Sequence, residues 1–422
     1  MIKNDAVDFL HTLSVRGIRP GLEAVSRFLA SIGDPQLKVP SVLIGGTNGK
    51  GSVSAMIASV LHSAGYAVGL YTSPHLSDFR ERICINGEPI SADDLSALVS
   101  AFRSFVGEDI TYFEFATALA FIYFSRRPVD VAVLEVGMGG RYDATNVAPA
   151  KLSVITTIGL DHQDYLGRTL AAIAAEKAGI IKGGAVVISG VRRNPARGII
   201  ENTALERHAR LYQRGRDFRV GRHEDGSFTY RGSTSCYGRI VSGLRGLHQV
   251  DNAGLAITAI EALKRTGFPV SEKSLREGLS KVCWPGRFEV LSDRPLIIAD
   301  GAHNPAGIEA LCRSLIEYYP GKRIIFIAGV LRDKGYRTMV RRLCRTAARL
   351  IFTRPPEPRG LDPAVLASVA AERHRWIDVE YDCQDALRLA CKEAADGDLI
   401  CITGSLYLVG ALRASFPLFF CN

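Results

Sequence analysis

A short β-branched run, Ser41-Val42-Leu43-Ile44-Gly45, passes directly into Gly46-Thr47-Asn48-Gly49-Lys50-Gly51-Ser52 and then into an apolar helical stretch, Ser54 to Ala64. No other feature restricts the fold as much. A buried strand that ends in glycines and restarts as a helix aims the first helical N–H groups at whatever occupies the turn. Glycines let the backbone approach phosphate oxygens, the amides cradle them, and a lysine reaches the terminal ones. The spacing departs from G-x-x-x-x-G-K-[ST], because Gly51 stands between Lys50 and Ser52. Both side chains still sit where the chemistry needs them. Thr47, Asn48, Gly49, Lys50, Gly51 and Ser52 are the candidate nucleotide residues, ATP is the expected cofactor, and Ser52 offers a hydroxyl to a bridging Mg2+. A plain glycine turn is the competing reading.

The same rhythm runs through the chain. Val129 to Val136, Leu152 to Ile158 and Ala185 to Ser189 are further apolar runs separated by helical stretches. Runs of this kind between helices belong to a parallel sheet covered on both faces. Trp284-Pro285-Gly286-Arg287 breaks the pattern as a hinge. Beyond it PLIIAD, KRIIFIAGV, ARLIFT and DLICITG restart the βα alternation. The expected fold class is α/β: an N-terminal P-loop-type parallel-sheet domain over residues 1–286 and a smaller Rossmann-like α/β domain over 287–422. A helix is expected from Asp251 to Thr266. The Arg-rich stretch of about 192–245 is expected to be a small antiparallel insertion.

Composition excludes several classes. With 47% hydrophobic and 8% aromatic residues in 422, the chain is neither disordered nor collagenous. No apolar run approaches the roughly 18 residues of a membrane span, and MIKNDAVDFL lacks the apolar core of a signal peptide. A cytoplasmic protein without a membrane partner is expected. Nine cysteines form no C-x-x-C pair, which argues against zinc or a disulfide framework. The net charge of +9 suits anionic partners: nucleotides, carboxylates or nucleic acid.

A second group of polar residues falls at strand ends, where open parallel sheets keep their ligand sites. Ser73 lies in Tyr71-Thr72-Ser73-Pro74-His75-Leu76, Glu135 closes VAVLEVG, and Asp161 and His162 follow VITTIGL. Hydroxyl, carboxylate and imidazole there suit hard divalent ions. The neutral alternatives are a polar strand terminus for Glu135 and a hydrogen-bonded histidine for His162. Val133 to Gly140 also has the glycine texture of a methyltransferase or dinucleotide loop, but the third glycine of G-x-G-x-x-G is missing.

Together the blocks GTNGKGS (46–52), TSPHLSDFRERICIN (72–86), TYFE (111–114), EVGMGGRYDATN (135–146), IGLDH (158–162), AEKAGIIK (175–182), PGRFE (285–289), DGAHNP (300–305) and TGSLYLVG (403–410) resemble, in order, the folate-conjugating members of the Mur ligase family, the dihydrofolate synthase/folylpolyglutamate synthase group. The resemblance implies that Lys50 holds the ATP phosphates, that Ser52, Ser73 and Glu135 ligate a first magnesium ion, and that His162 ligates a second. It implies a carbamylated Lys177, which from the residues alone would be a solvated face or an ion pair with Glu176. Asn252 and Arg287 match nucleotide contacts. Asp300 and His303, at the end of the C-terminal domain's first strand, match the pair associated with the nucleotide, the incoming glutamate and the reaction centre. An Asp/Asn helix cap before proline explains DGAHNP equally well. Two departures stand out: Asp333-Lys334-Gly335 replaces Asp-Lys-Asp, and Tyr142 replaces a leucine.

The implied activity is ATP-dependent formation of an amide between L-glutamate and dihydropteroate or folates, through an acyl phosphate, by a monomer. Lys50, Lys177, Asp300 and His303 would be the catalytic residues, with His303 or Asp300 as base. An extension-only folylpolyglutamate synthase or another Mur-type ligase is the nearest alternative. An RNA-binding or switch ATPase is the alternative from a different class, although no nucleic acid is needed to explain the charge.

Overall fold

The computed structural model describes the backbone of residues 2–420 and the side chains of residues 5–414. Eight strands build the first sheet: β1 (Ser41–Gly45), β2 (Val68–Tyr71), β3 (Ile83–Ile85), β4 (Glu88–Pro89), β5 (Val131–Glu135), β6 (Leu152–Ile155), β7 (Val186–Ser189) and β8 (Arg210–Gln213). They lie in the order β4-β3-β2-β5-β1-β6-β7-β8. The six strands from β2 to β8 in that order are parallel, and β3 and β4 extend the edge antiparallel. All five residues of β5 are buried, as are four of five in β1, because helices cover both faces. The order in which strands are added reverses at β1, with β5 and β2 on one side and β6, β7 and β8 on the other, and the crevice at the carboxyl ends beside such a point is where open α/β sheets bind ligands.

The helix Lys50–Ser63 is buried along most of its length. On its outer side the helix Glu272–Lys281 packs so closely that a Cβ on Gly278 would collide with the Val60 backbone, and Ser59 Oγ donates to Gly278 O at 2.7 Å. Glycine here serves close helix packing rather than a turn.

The Arg-rich stretch differs from the expected single insertion. The helix Ala196–Glu206 and β8 continue the parallel sheet, because β8 pairs with β7 in parallel. Only β9 (Arg219–Arg222), β10 (Phe228–Arg231) and β11 (Cys236–Ile240) form a separate antiparallel sheet. In β10 Phe228 and Tyr230 are buried, Thr229 between them is half-buried and Arg231 is exposed, so this sheet has one covered face. The following helix runs Leu247–Lys264, starting four residues and ending two residues earlier than expected.

By its contacts the chain divides into two compact units, Met1–Gly243 with Val250–Cys283, and Leu244–Gln249 with Trp284–Asn422. The second holds a six-stranded sheet ordered β12-β13-β17-β14-β15-β16, formed by β12 (Glu289–Asp293), β13 (Leu296–Ala299), β14 (Ile324–Ala328), β15 (Arg349–Phe352), β16 (Ile377–Val379) and β17 (Leu399–Thr403). β12 is antiparallel to β13 and the rest are parallel. Asp300 therefore follows the second strand of this unit, not the first. The eight described cysteines carry no disulfide, and Cys421 lies outside the described residues.

Candidate active site

Helix start and glycine loop coincide as the chemistry requires. Gly49, at φ 88°, caps the helix, which begins at Lys50, so Lys50, Gly51 and Ser52 form its first turn. The loop is stapled to the segment after β6. Asn48 N donates to Thr157 Oγ1 at 3.0 Å, Thr156 Oγ1 donates to Asn48 O at 2.7 Å, and Gly159 N donates to Thr47 Oγ1 at 3.0 Å. Gly46 adopts φ 137° and a Cβ there would collide with Thr156 Oγ1. A Cβ on Gly49 would stand 2.6 Å from Asn252 Oδ1, so buried Asn252 lies directly against the loop. Thr156 and Thr157, which fix the loop's shape, were not singled out in the sequence; two threonines after a buried strand were the only signal.

Lys177 is only 4% exposed, and its Nζ donates to Gly46 O at 2.9 Å. Burial, followed by the charge of Lys50, presses its amine down to about 7, against smaller opposing pulls from Asp161 and Asp143. A solvated face and a simple ion pair with Glu176 are both excluded. Glu176 instead approaches Arg141, at 3.9 Å.

The glycines of the 135–146 block explain themselves through this helix. A Cβ on Gly140 would stand 2.8 Å from Glu176 O and 3.0 Å from Lys177 Cα, and one on Gly179 would stand 2.5 Å from Arg141 Cα. They allow a loop to lie flat against the turn that carries Lys177, which removes the reason for a methyltransferase reading. Asp143, buried, organises the loop: its carboxylate accepts from Met138 N at 2.9 Å, Thr145 N at 3.0 Å and Thr145 Oγ1 at 2.6 Å. Burial raises its pKa despite those bonds.

Of the expected metal ligands, the structure brings two together directly. Ser73 N donates to Glu135 Oε2 at 3.3 Å, and Glu135, at the buried end of β5, lies in register beside Ile44 of β1. Ser52, buried, is in the helical turn that follows β1. His162 follows β6, on the other side of β1, with φ 50° and its Nε2 4.0 Å from Asp161 Oδ1. Hydroxyl and carboxylate oxygens are the donors Mg2+ takes. Among the described residues no three His, Cys, Asp or Glu side chains converge on one point.

Two sequence blocks are local scaffolding. Thr111 and Glu114 form a capping box at the start of the helix Tyr112–Arg126, and Asp78 and Glu81 form another. Glu81 also accepts from Leu76 N at 2.7 Å and Asp78 N at 3.0 Å, shaping the loop that carries Ser73. The S/T/D-x-x-E spacing of both was legible in the sequence. In the same loop Arg82 Nε donates to His75 Nδ1 at 2.8 Å. Burial, then the charge of Arg82, lowers His75 to about 4.

In the second unit, Arg287, Asp300 and His303 come together. Asp300 Oδ2 accepts from Phe288 N at 2.9 Å and Oδ1 from Ala302 N at 2.9 Å, so this buried carboxylate ties the 285–289 turn to the 300–305 loop. Arg287 approaches Gly301, where a Cβ would stand 3.1 Å from its guanidinium. His303 Nδ1 lies 2.8 Å from Gly301 O; a carbonyl only accepts, so Nδ1 carries the hydrogen, which makes Nε2 the ring nitrogen that gains or loses a proton. Asn304 caps the helix Pro305–Tyr318 with proline at its first position. Buried Lys334 approaches Asp333 at 3.7 Å, so the retained Asp-Lys pair is formed without the third residue.

Comparison with known proteins gives two family matches, the Mur ligase middle domain over residues 44–260 and the Mur ligase glutamate ligase domain over residues 286–406. The dihydrofolate synthase/folylpolyglutamate synthase of Bacillus subtilis is 37% identical over 425 residues, covering 97% of this chain and 98% of that protein. The structure of Escherichia coli FolC in complex with DHPP and ADP superposes with a TM-score of 0.92 at 30% identity, covering 99% of this chain and 98% of that one. The bifunctional folylpolyglutamate synthase/dihydrofolate synthase of Yersinia pestis, complexed with AMPPNP and a Mn ion, superposes with a TM-score of 0.89 at 29% identity, covering 98% and 97%.

Proposed function

The chain belongs to the Mur ligase family, in the dihydrofolate synthase/folylpolyglutamate synthase group, and is an ATP-dependent glutamate ligase; we propose how its residues divide that work. Dihydropteroate and folates are the acceptors, and ADP and phosphate leave. The observation that carries the assignment of residues is the buried Lys177 amine on Gly46 of the phosphate loop. A plain nucleotide-binding loop that already has Lys50 has no use for a buried lysine behind it. An amine held down to about 7 is largely neutral near pH 7.5, the form that takes up CO2 to become a carbamate.

A carboxylate is a poor electrophile. One of its oxygens attacks the γ-phosphorus of ATP, the bond to the bridging oxygen breaks, and ADP departs, leaving an acyl phosphate. Two anions meet in that step, so Lys50 and the amides of the 46–52 loop offset the accumulating charge. Ser52, Ser73 and Glu135 would hold one magnesium ion and His162 a second, and their charge would add to that of Lys50. The glutamate amine then attacks the carbonyl carbon, the C–N bond forms, and phosphate leaves. That attack needs a neutral amine, and His303 Nε2 is the group with a lone pair to take its proton. Asp300, whose two oxygens each hold a backbone amide, positions the His303 loop instead of acting as base. Asn252 and Arg287 are nucleotide contacts in this reading.

In this reading the protein acts as a monomer in the cytoplasm, which light scattering and fractionation test; the eight described cysteines, none in a disulfide, support the reducing compartment. The decisive assay is coupled ADP release with dihydropteroate and tetrahydrofolate offered separately, each with glutamate. Release with both marks a bifunctional enzyme. Release stimulated by RNA and not by these acceptors would refute the ligase assignment.

A further inference from the structure

The loop from Thr72 to Arg82 ends on a residue that the mechanism leaves unused. Arg82 is 7% exposed. Its guanidinium lies over two aromatic rings, 5.8 Å from the Phe79 centroid and 5.4 Å from that of Tyr112. Its Nε donates to His75, and among the described residues neither terminal nitrogen has a hydrogen-bond acceptor or a carboxylate partner. Every other strongly buried cation of the first unit has its charged end met: the Lys177 amine reaches Gly46 O. Burying a permanent cation with only ring faces beside it is unfavourable, since two cation–π contacts recover a small part of the lost hydration. Arginine cannot escape by losing its proton. A site of this kind is completed by an anion that arrives from outside.

Two oxyanions come to this unit in the proposed reaction, a nucleotide phosphate and the acceptor carboxylate. The phosphates already have their cradle, the 46–52 loop with Lys50. Arg82 stands elsewhere: Thr72 N donates to Arg82 O at 3.0 Å, which places Arg82 across the β2–β3 hairpin from the residue before Ser73. Its two terminal N–H groups form a planar fork that matches a carboxylate, and the rings of Phe79 and Tyr112 flank it as they would an arene that bears one. We propose that Arg82 captures and orients the carboxylate of the acceptor substrate before one of its oxygens is released to attack the γ-phosphorus, a specificity-determining contact that rests on the ligase assignment and adds to it.

The test compares the full-length protein with Arg82→Met and Arg82→Lys. Kinetics are measured with dihydropteroate varied at saturating ATP and glutamate, and binding is measured by calorimetry with pteroate and with its methyl ester. Loss of a charged hydrogen-bond pair predicts that Arg82→Met raises KM for dihydropteroate roughly ten- to a hundredfold with KM for ATP unchanged. Arg82→Lys, which keeps the charge but not the fork, falls between. The wild type prefers pteroate over the ester, and Arg82→Met abolishes that preference. An unchanged KM for the acceptor overturns the proposal, as does a parallel rise in KM for ATP, which would assign the arginine to phosphate. Equal loss of acid and ester, or loss of fold in Arg82→Met with wild-type kinetics in Arg82→Lys, reduces Arg82 to a pin for His75 and also overturns it. If the wild type ligates no glutamate, the ligase assignment falls, and the acid-against-ester comparison still decides whether Arg82 holds a carboxylate.

Discussion

Replacing Lys177 by methionine tests the central electrostatic claim through stability instead of activity. The amine is pressed from an ordinary 10.5 to about 7 in the folded chain. Below pH 7 both folded and unfolded chains carry the proton, and the folded state bears the full cost of a buried ammonium beside Lys50. Between pH 7 and 10.5 the unfolded chain holds a proton that the folded chain has released, so folding gains stability as pH rises, by about 1.4 kcal/mol per pH unit. The whole cost is on the order of 5 kcal/mol, the shift multiplied by that slope. Lys177→Met lacks this term. It loses the hydrogen bond to Gly46 O, worth about 1 kcal/mol, and keeps the apolar stem's packing. The variant is therefore expected to be several kcal/mol more stable than the parent near pH 6, with a gap that narrows by about 3 kcal/mol between pH 7 and pH 9. Both tryptophans, Trp284 and Trp376, lie in the second unit, so fluorescence would report the wrong part. Hydrogen exchange of residues 170–178 and of β1, measured in urea and CO2-free buffer, reads the right one. A stability difference that stays constant from pH 7 to 9, or a parent more stable than the variant at pH 6, would refute a neutral buried amine. The same variant should lose ligase turnover, on the order of a hundredfold or more if the carbamate assists transition-state charge.

Three further outcomes follow from the geometry. Gly49→Ala forces a Cβ to 2.6 Å from Asn252 Oδ1 at φ 88°, so about 1–2 kcal/mol of stability is lost and KM for ATP rises; calorimetry and kinetics with ATP varied would show it, and unchanged ATP kinetics would contradict the loop's role. His303→Ala should lower kcat far more than it changes KM for ATP, and the loss should ease as pH rises and more glutamate amine is neutral; a turnover equal to the parent removes His303 from the chemistry. Thr111→Ala removes one side of a capping box and should cost about 1 kcal/mol, visible as a lower melting temperature, with kcat kept. A drop in kcat at unchanged stability would instead mark Thr111 as a substrate contact.

Much of the molecule could be read along the chain because its signals are local. The strand-to-helix passage at 41–63 needs only β-branched residues, glycines and a helix former in order, and it folds as that order requires. The Arg-rich stretch misled for a physical reason: β8 sits at the sheet's edge, where Arg210 is exposed and Leu211 and Tyr212 are only half-buried, so a genuine strand carries the composition of a solvated loop. The TYFE block, which entered only through the resemblance, also has a local reading: the spacing of Thr111 and Glu114 caps the helix Tyr112–Arg126. Resemblance alone attached function to Lys177. The structure supplies a cause, because only the fold brings Gly46, 131 residues away, to its amine.

The amino-acid order by itself determined the parallel α/β architecture, the position of the phosphate loop and the strand ends where polar residues gather. These depend on apolar periodicity and backbone preference within a few neighbours. Tertiary structure alone decided which of those residues are charged, paired or exposed. It buried Lys177 beside Lys50, tied both oxygens of Asp300 to backbone amides, closed the glycines of the 135–146 loop on the helix behind them, and set the Arg82 fork between two rings with no carboxylate of the described residues beside it. Desolvation and Coulomb energy depend on distances between groups far apart in the chain, and those distances exist only after folding.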